Sequence, residues 1–233
     1  MRPPKNLTLR IIDLGLIDFS LAWEFQKQTL QEVIPGRIPD TLILCEHHSI
    51  ITLGRLAKAE NILATAEQLK RQGIAVLRIN RAGDVTFHGP GQLVAYPVFD
   101  LNRHGRDIHG FLRKLEEVVI DFLEYFAING LSKPGFTGVW VENSKIASIG
   151  IGIKQWVSFH GLAVNVAIDL KNFALIRPCG LDINMTSLEK RTGNAVSMDL
   201  VKERMAQSFA KVFNLKEEED DDQCVSAGIR RGD

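Results

Sequence analysis

Three cysteines, Cys45, Cys179 and Cys224, are too few for a disulfide framework, and no Cys-x-x-Cys pair or Cys/His set has zinc spacing, so no metal is expected. No apolar run approaches the ~18 residues of a membrane span. The first stretch, MRPPKNLTLRIIDLG, lacks the apolar core of an export signal and passes straight into a strand-like pattern, which points to the cytoplasm and away from membranes. Charge of one sign is not in excess either: 28 basic and 28 acidic residues cancel. Six of the acids form one run at 217–222, and without it 28 bases face 22 acids, a body of about +6. That balance suits an acidic protein partner and is too weak to indicate nucleic acid.

The composition, 45% hydrophobic and 24% charged, is that of an ordinary globular protein, and 233 residues suffice for one ample core. One catalytic-sized domain over 1–214 is expected, followed by an acidic, disordered tail at 215–233. Strands are expected at 7–13, 41–47, 49–55, 75–79 and 92–99, with Pro97 placing the last at a sheet edge or bulge. Helices are expected at 18–33, with Leu21, Ala22, Phe25 and Val33 inward, and at 65–73. The helix at 107–127 carries a long apolar stripe from Ile108 to Phe126. Residues 138–153 read as a hairpin turning at 142–144, and 159–169 as a third strand of an antiparallel meander. A last helix at 198–213 starts at a candidate Ser197 cap. This order of elements is α+β.

Alternation along the meander puts Ser148, Gly150 and Gly152 on one face of their strand, and Gly161, Ala163 and Asn165 on one face of the next. Paired, these small faces either form a floor for an extended ligand, with Gly150 and Gly161 lining its channel, or merely let a helix pack closely. The loop from Arg81 to Gln92 holds three glycines, Pro90, Arg81 and His88, far more than a plain connection needs. Its glycines permit close approach to a ligand, and its Arg and His can donate to a carbonyl or phosphate oxygen. It is neither a Walker A loop nor a dinucleotide fingerprint. Cys179, between Pro178 and Gly180, has little bulk beside its sulfur, whereas Cys45 lies in an apolar strand and reads as structural.

The stretch 81–101 resembles the signature of the lipoyl(octanoyl) transferases of lipoate biosynthesis, Arg-Gly-Gly-x-x-Thr-x-His-x-x-Gly-Gln-x-x-x-Tyr, departing from it only at Ala82. The likeness continues through Thr52 to Arg55, Gly138-Val139-Trp140, Lys145 to Gly150, His160-Gly161 with Asn165, and Pro178-Cys179-Gly180, and spans roughly 7–213. Were a positive φ needed at Ala82, its methyl would strain the loop. The resemblance implies a biotin/lipoate protein ligase-like fold: an α+β domain with a mixed β-sheet flanked by helices.

It also implies transfer of an octanoyl or lipoyl group from acyl carrier protein to a lysine of lipoyl domains, those of 2-oxoacid dehydrogenase E2 subunits and the glycine cleavage H protein, without cofactor. By this resemblance Cys179 is the nucleophile that holds the acyl group as a thioester, and Lys145 lowers its pKa. Substrate contacts fall on Arg81, Ala82, Gly83, Asp84, Val85, Thr86, Phe87 and His88, on Ser148, Ile149 and Gly150, and on Gly161, Leu162 and Ala163, with His160 and Gly91 in support. Simple alternation puts Lys145 with Ile149 and Ile151, away from the bare floor, so a bulge beside the turn is expected to redirect it. An ATP-dependent lipoate or biotin ligase, or an inactive carrier-binding module, shares the fold; the ligase would be expected to lack the Gly-Pro-Gly after His88, and the module to lack Cys179 or Lys145.

Overall fold

The computed structural model describes residues 7–178 and 183–218. Among them the chain forms, in order, β1 (Leu7–Ile17), α1 (Phe19–Val33), β2 (Asp40–His47), β3 (Ile50–Leu53), α2 (Ala66–Arg71), β4 (Ala75–Arg78), β5 (Val85–His88) and β6 (Gln92–Val98). There follow α3 (Ile108–Tyr125), β7 (Leu131–Lys133), β8 (Phe136–Val141), β9 (Ser144–Lys154), β10 (Val157–Asn165), β11 (Asn184–Met185), α4 (Leu188–Thr192), α5 (Met198–Phe213) and β12 (Leu215–Glu217). The main sheet runs β12-β1-β2-β6-β10-β9-β8-β7, with β11 also paired to β9, and β4-β3-β5 forms a smaller sheet. Both sheets mix parallel and antiparallel pairs, as the α+β expectation requires. Among the described residues no helix is long and apolar enough to cross a membrane.

Apolar residues on both faces of β2 and β6 make these the spine of the sheet. Leu42, Leu44, Leu93 and Ala95 face α3 and α5, where Phe111, Leu115, Phe122, Met205 and Phe209 fill one core. Ile43, Cys45, Val94, Tyr96 and Val98 face α1. Each fully buried Leu or Phe contributes about 1.5–3 kcal/mol of transfer free energy, so the α3 stripe is what holds this helix to the sheet. Asp107 caps α3 by accepting from the His109 N–H at 2.9 Å. A third core of Ile51, Leu69, Val85, Phe87 and Phe173 lies beneath the small sheet.

Four expectations need correction. Pro97 lies in a central strand, not at an edge. Its carbonyl accepts from Ser158 Oγ of β10 at 2.7 Å, and N and O of one strand residue point to the same side. The missing N–H therefore faces the stretch where the regular β6–β10 ladder has already stopped, at Ala95. Leu21 is half exposed, because Ala22, Gln26, Leu30 and Val33 take the inward face of α1. Ser197 stands at the N-cap of α5 but its side chain makes no capping hydrogen bond. The domain also runs past 214: β12 pairs in parallel with β1, and the Glu218 N–H reaches the Leu9 carbonyl at 2.9 Å. Residues 219–233, with Cys224 and most of the acidic run, lie outside the described residues.

Candidate active site

The loop before β5 is stitched into both sheets. Gly54, Arg55 and Leu56 donate backbone hydrogen bonds to Asp84, Arg81 and Gly83, and the Ala82 N–H donates to Ile151 of β9 at 2.8 Å. A Cβ on Gly54 would overlap the Gly83 carbonyl, which is why glycine follows Leu53. Arg81 is buried and spends its guanidinium on the protein, donating to the Thr52 carbonyl at 2.8 Å, to Thr52 Oγ1 at 3.1 Å and to the Ala82 carbonyl at 3.0 Å. The positive φ falls on Gly83, at 86°, and not on Ala82, so the Ala82 methyl imposes no backbone strain.

The bare faces of β9 and β10 meet as alternation demands, Gly150 opposite Gly161 and Ser148 opposite Ala163. They are not an open floor. A Cβ on Gly150 would lie 2.9 Å from the Ala82 carbonyl oxygen, the Phe159 ring fills the space over Gly152, and a Cβ on Gly161 would overlap the Ala95 carbonyl. These glycines admit protein atoms first. What remains is a narrow cavity of about 60 Å³ beside them, lined by Phe19, Val85, Val94, Tyr96, Leu162 and Ala163 among others, which adjoins a cleft of about 740 Å³ walled by Leu56, Ile108, Phe136, Trp140 and Ile183. Gly83, Asp84, Lys145, Ile149 and Gly150 line both spaces.

Lys145 reaches this junction because the β8–β9 register slips: Val139 pairs with Ala147 but Trp140 with Lys145. The extra residue sends Ile146 and Ala147 both into the α3 core and frees Lys145 to face the cavity, which is the bulge its position required. The lysine is 3% exposed. Its Nζ donates to the Thr137 carbonyl at 2.9 Å and stands 5.6 Å from the centre of the Trp140 ring.

Behind the cavity lies a polar scaffold. His88 Nδ1 contacts Gln92 Oε1 at 2.8 Å, Gln92 Nε2 donates to Asn165 Oδ1 at 2.9 Å, and Asn165 Nδ2 donates to the Thr186 carbonyl at 3.0 Å. This directionality puts the His88 proton on Nδ1. His47 bridges the Ile17 carbonyl and the Tyr96 hydroxyl, at 3.0 and 2.7 Å. His160, at φ 55°, is held from three sides: its N–H by Gln26 Oε1 at 2.9 Å, its Nε2 by Asn80 Oδ1 at 3.0 Å, and its ring by Trp23 stacked at 4.6 Å. Burial pushes His47 down to about 4 and both His88 and His160 down to about 3, so all three are neutral near pH 7. They donate and accept hydrogen bonds and carry no charge.

Of the residues singled out from sequence, Arg81, Gly83, Asp84, Val85, Thr86, His88, Lys145, Ser148, Ile149, Gly150, His160, Gly161, Leu162 and Ala163 line the narrow cavity, and Ala82 the outer cleft. Phe87 does not: alternation along β5 turns it into the third core against Phe173. Gly91 is also structural, at φ 81° with its N–H on Glu46 and its Cα packed against the Ala167–Ile168 backbone. Cys45 is buried, and burial pushes its thiol far up, as a structural cysteine requires. Cys179 lies outside the described residues; Ile183, the first described residue after it, lines the cleft that Lys145 also lines. His47, Trp23, Gln26 and Asn80 gave no motif or spacing signal.

Residues 18–210 match the model of the lipoyl protein ligase A/B catalytic domain. The chain is 46% identical over 202 residues to an octanoyltransferase of Geotalea uraniireducens, covering 86% of this chain and 91% of the relative. It is also 46% identical over 213 residues to one of Roseiflexus sp., covering 90% and 89%. A bipartite lipoate protein ligase from Thermoplasma acidophilum, solved in work that also covers its E2 lipoyl domain, shares the fold at a TM-score of 0.70 and 16% identity over 92% of this chain and 87% of that one.

Proposed function

The chain belongs to the lipoyl protein ligase A/B catalytic-domain family, and we propose that it transfers an octanoyl or lipoyl group from acyl carrier protein to a lysine of lipoyl domains. It is an acyltransferase of lipoate biosynthesis, with octanoyltransferases as its relatives at 46% identity. The observation that carries the reading is the position of Lys145, a nearly buried amine where a narrow apolar cavity meets a wide cleft. In this reading the acyl chain enters by way of the narrow cavity, and the cleft takes the carrier's thioester arm or the incoming lysine.

In the first half-reaction the Cys179 sulfur attacks the acyl carbonyl of the carrier thioester. The new carbon–sulfur bond replaces the old one, and the carrier sulfur leaves as a thiol by taking the proton of the Lys145 ammonium, which becomes neutral. The Lys145 ammonium favours the attacking thiolate, since a free thiol of pKa about 8.5 is mostly protonated near neutrality. In the second half-reaction the ε-amine of the acceptor lysine attacks the enzyme thioester, the amide forms, the cysteine sulfur is released, and neutral Lys145 accepts the amine's proton. Thioester exchange is nearly isoenergetic and amide formation from a thioester is downhill, so no nucleotide is consumed. The acceptors in this reading are the lipoyl domains of 2-oxoacid dehydrogenase E2 subunits and of the glycine cleavage H protein, and the compartment is the cytoplasm.

The test is multiple turnover with octanoyl-acyl carrier protein and a lipoyl domain, with and without ATP. Modification of the lipoyl domain at equal rates in both supports the transferase. Modification only with free octanoate and ATP makes the protein a ligase.

A further inference from the structure

The Lys145 ammonium is placed by a group on another element. The Thr137 carbonyl that accepts from Nζ at 2.9 Å belongs to the same peptide group as the Gly138 N–H, which donates to Oε1 of Glu116 at 3.0 Å. In a trans peptide C=O and N–H point in opposite directions, so the α3 carboxylate and the β9 ammonium hold one peptide from its two ends. Glu116 is 1% exposed, and its other oxygen accepts from Arg113 Nη1 at 2.5 Å. A carboxylate is costly to bury and adds little to apolar packing, so its place amid the α3 stripe calls for a polar role.

Gly138 supplies independent support. Its φ of 127° suits glycine alone, and a Cβ there would lie 2.5 Å from both the Lys145 Cε and the Ala147 carbonyl oxygen. Glycine is thus required both by the orientation of the peptide and by the path of the lysine stem beside it.

We propose that Glu116 is a positioning residue for acyl transfer: through the Thr137–Gly138 peptide it fixes the Lys145 ammonium beside the narrow cavity. Hydrogen bonds in series strengthen one another in a water-poor interior, and a carboxylate on the N–H side increases the negative charge that the carbonyl presents to the ammonium. The inference rests on the reading of Lys145 as the amine that serves the reaction.

The experiment uses Glu116→Gln, which keeps an oxygen for the Gly138 N–H and removes the charge, Glu116→Leu, which removes both, and Lys145→Ala. Steady-state kcat and KM for the octanoyl carrier are measured beside the position of the Lys145 ¹³Cε resonance at neutral pH in lysine-labelled protein, identified by its absence in Lys145→Ala. Glu116→Leu is expected to lower kcat tenfold or more, roughly the effect of one lost oriented contact, with KM little changed. In both Glu116 variants the Lys145 ¹³Cε resonance is expected to move, further in Glu116→Leu, because a neutral or missing acceptor holds the Thr137–Gly138 peptide less firmly than a carboxylate does. A buried hole can unfold the leucine variant, so the isosteric glutamine variant decides: a folded Glu116→Gln with wild-type ¹³Cε resonance and kcat overturns the proposal. Wild-type turnover by Lys145→Ala overturns the reading of Lys145 itself, whereas an inactive Lys145→Ala beside an unaltered Glu116→Gln overturns the role of Glu116 alone.

Discussion

Mild acid should destabilise this protein through three histidines. Burial holds His47 at about 4 and His88 and His160 at about 3 in the folded state, against about 6.5 in an unfolded chain. The unfolded state therefore binds more protons across this window, so the stabilisation is fully present above about pH 6.5 and is lost as pH falls toward the folded values. At about pH 5.5 each histidine disfavours the folded state by ~1.4 kcal/mol, and three together by ~4 kcal/mol. A domain of this kind is stable by only about 5–15 kcal/mol. Few carboxylates change protonation between about pH 7 and about pH 5.5, so the interval isolates the histidines. Urea unfolding at these two pH values measures the difference. His160→Gln should remove about a third of it, because each group contributes a similar share. A wild-type change below ~1 kcal/mol would mean that the histidines accept protons without loss of the fold, and would refute neutrality as the basis of the scaffold.

Other outcomes follow from the same geometry. The KM for the carrier should rise steeply with salt, because exposed Arg55 at the cleft wall meets an acidic partner through charges screened over about 8 Å at physiological ionic strength; salt-independent kinetics contradict this. Gly161→Ala should lower Tm and activity together, at a cost of about 1–3 kcal/mol, since its methyl meets the Ala95 carbonyl; a thermal melt showing full stability with blocked activity restores a ligand floor at this position. Lys145→Ala should slow acylation at neutral pH, with partial rescue of that step at high pH but not of amide formation, and single-turnover rates for the two half-reactions separate these effects.

Much of this site was legible because it rests on local rules. The alternation of small residues in β9 and β10 anticipated the Gly150–Gly161 pair, and the position of Lys145 next to a turn anticipated the bulge that redirects it. The α3 stripe anticipated the largest core. What escaped depends on partners distant in the chain. Pro97 sits in mid-sheet because of how β10 deviates beside it, and Gln26 reaches the His160 N–H across 134 positions. Phe87 belongs to a loop rich in ligand-like residues, yet strand alternation sends it to the core. The bareness of Gly150 and Gly161 allowed either a ligand or close packing, and only the Ala82 and Ala95 carbonyls show that backbone takes that space. The acidic composition after 214 concealed an edge strand, whose stability comes from pairing with β1 and not from its own sequence.

The most direct measurement is the intact mass of the enzyme after mixing with octanoyl-acyl carrier protein in the absence of ATP, before and after treatment with hydroxylamine, for wild type and Cys179→Ser. A covalent acyl-enzyme predicts one added octanoyl group on the wild type, removed by hydroxylamine as a thioester would be, and neither adduct nor turnover in Cys179→Ser, whose hydroxyl is a far weaker nucleophile at neutral pH. An unmodified wild-type mass during active turnover, or full turnover by Cys179→Ser, would contradict it.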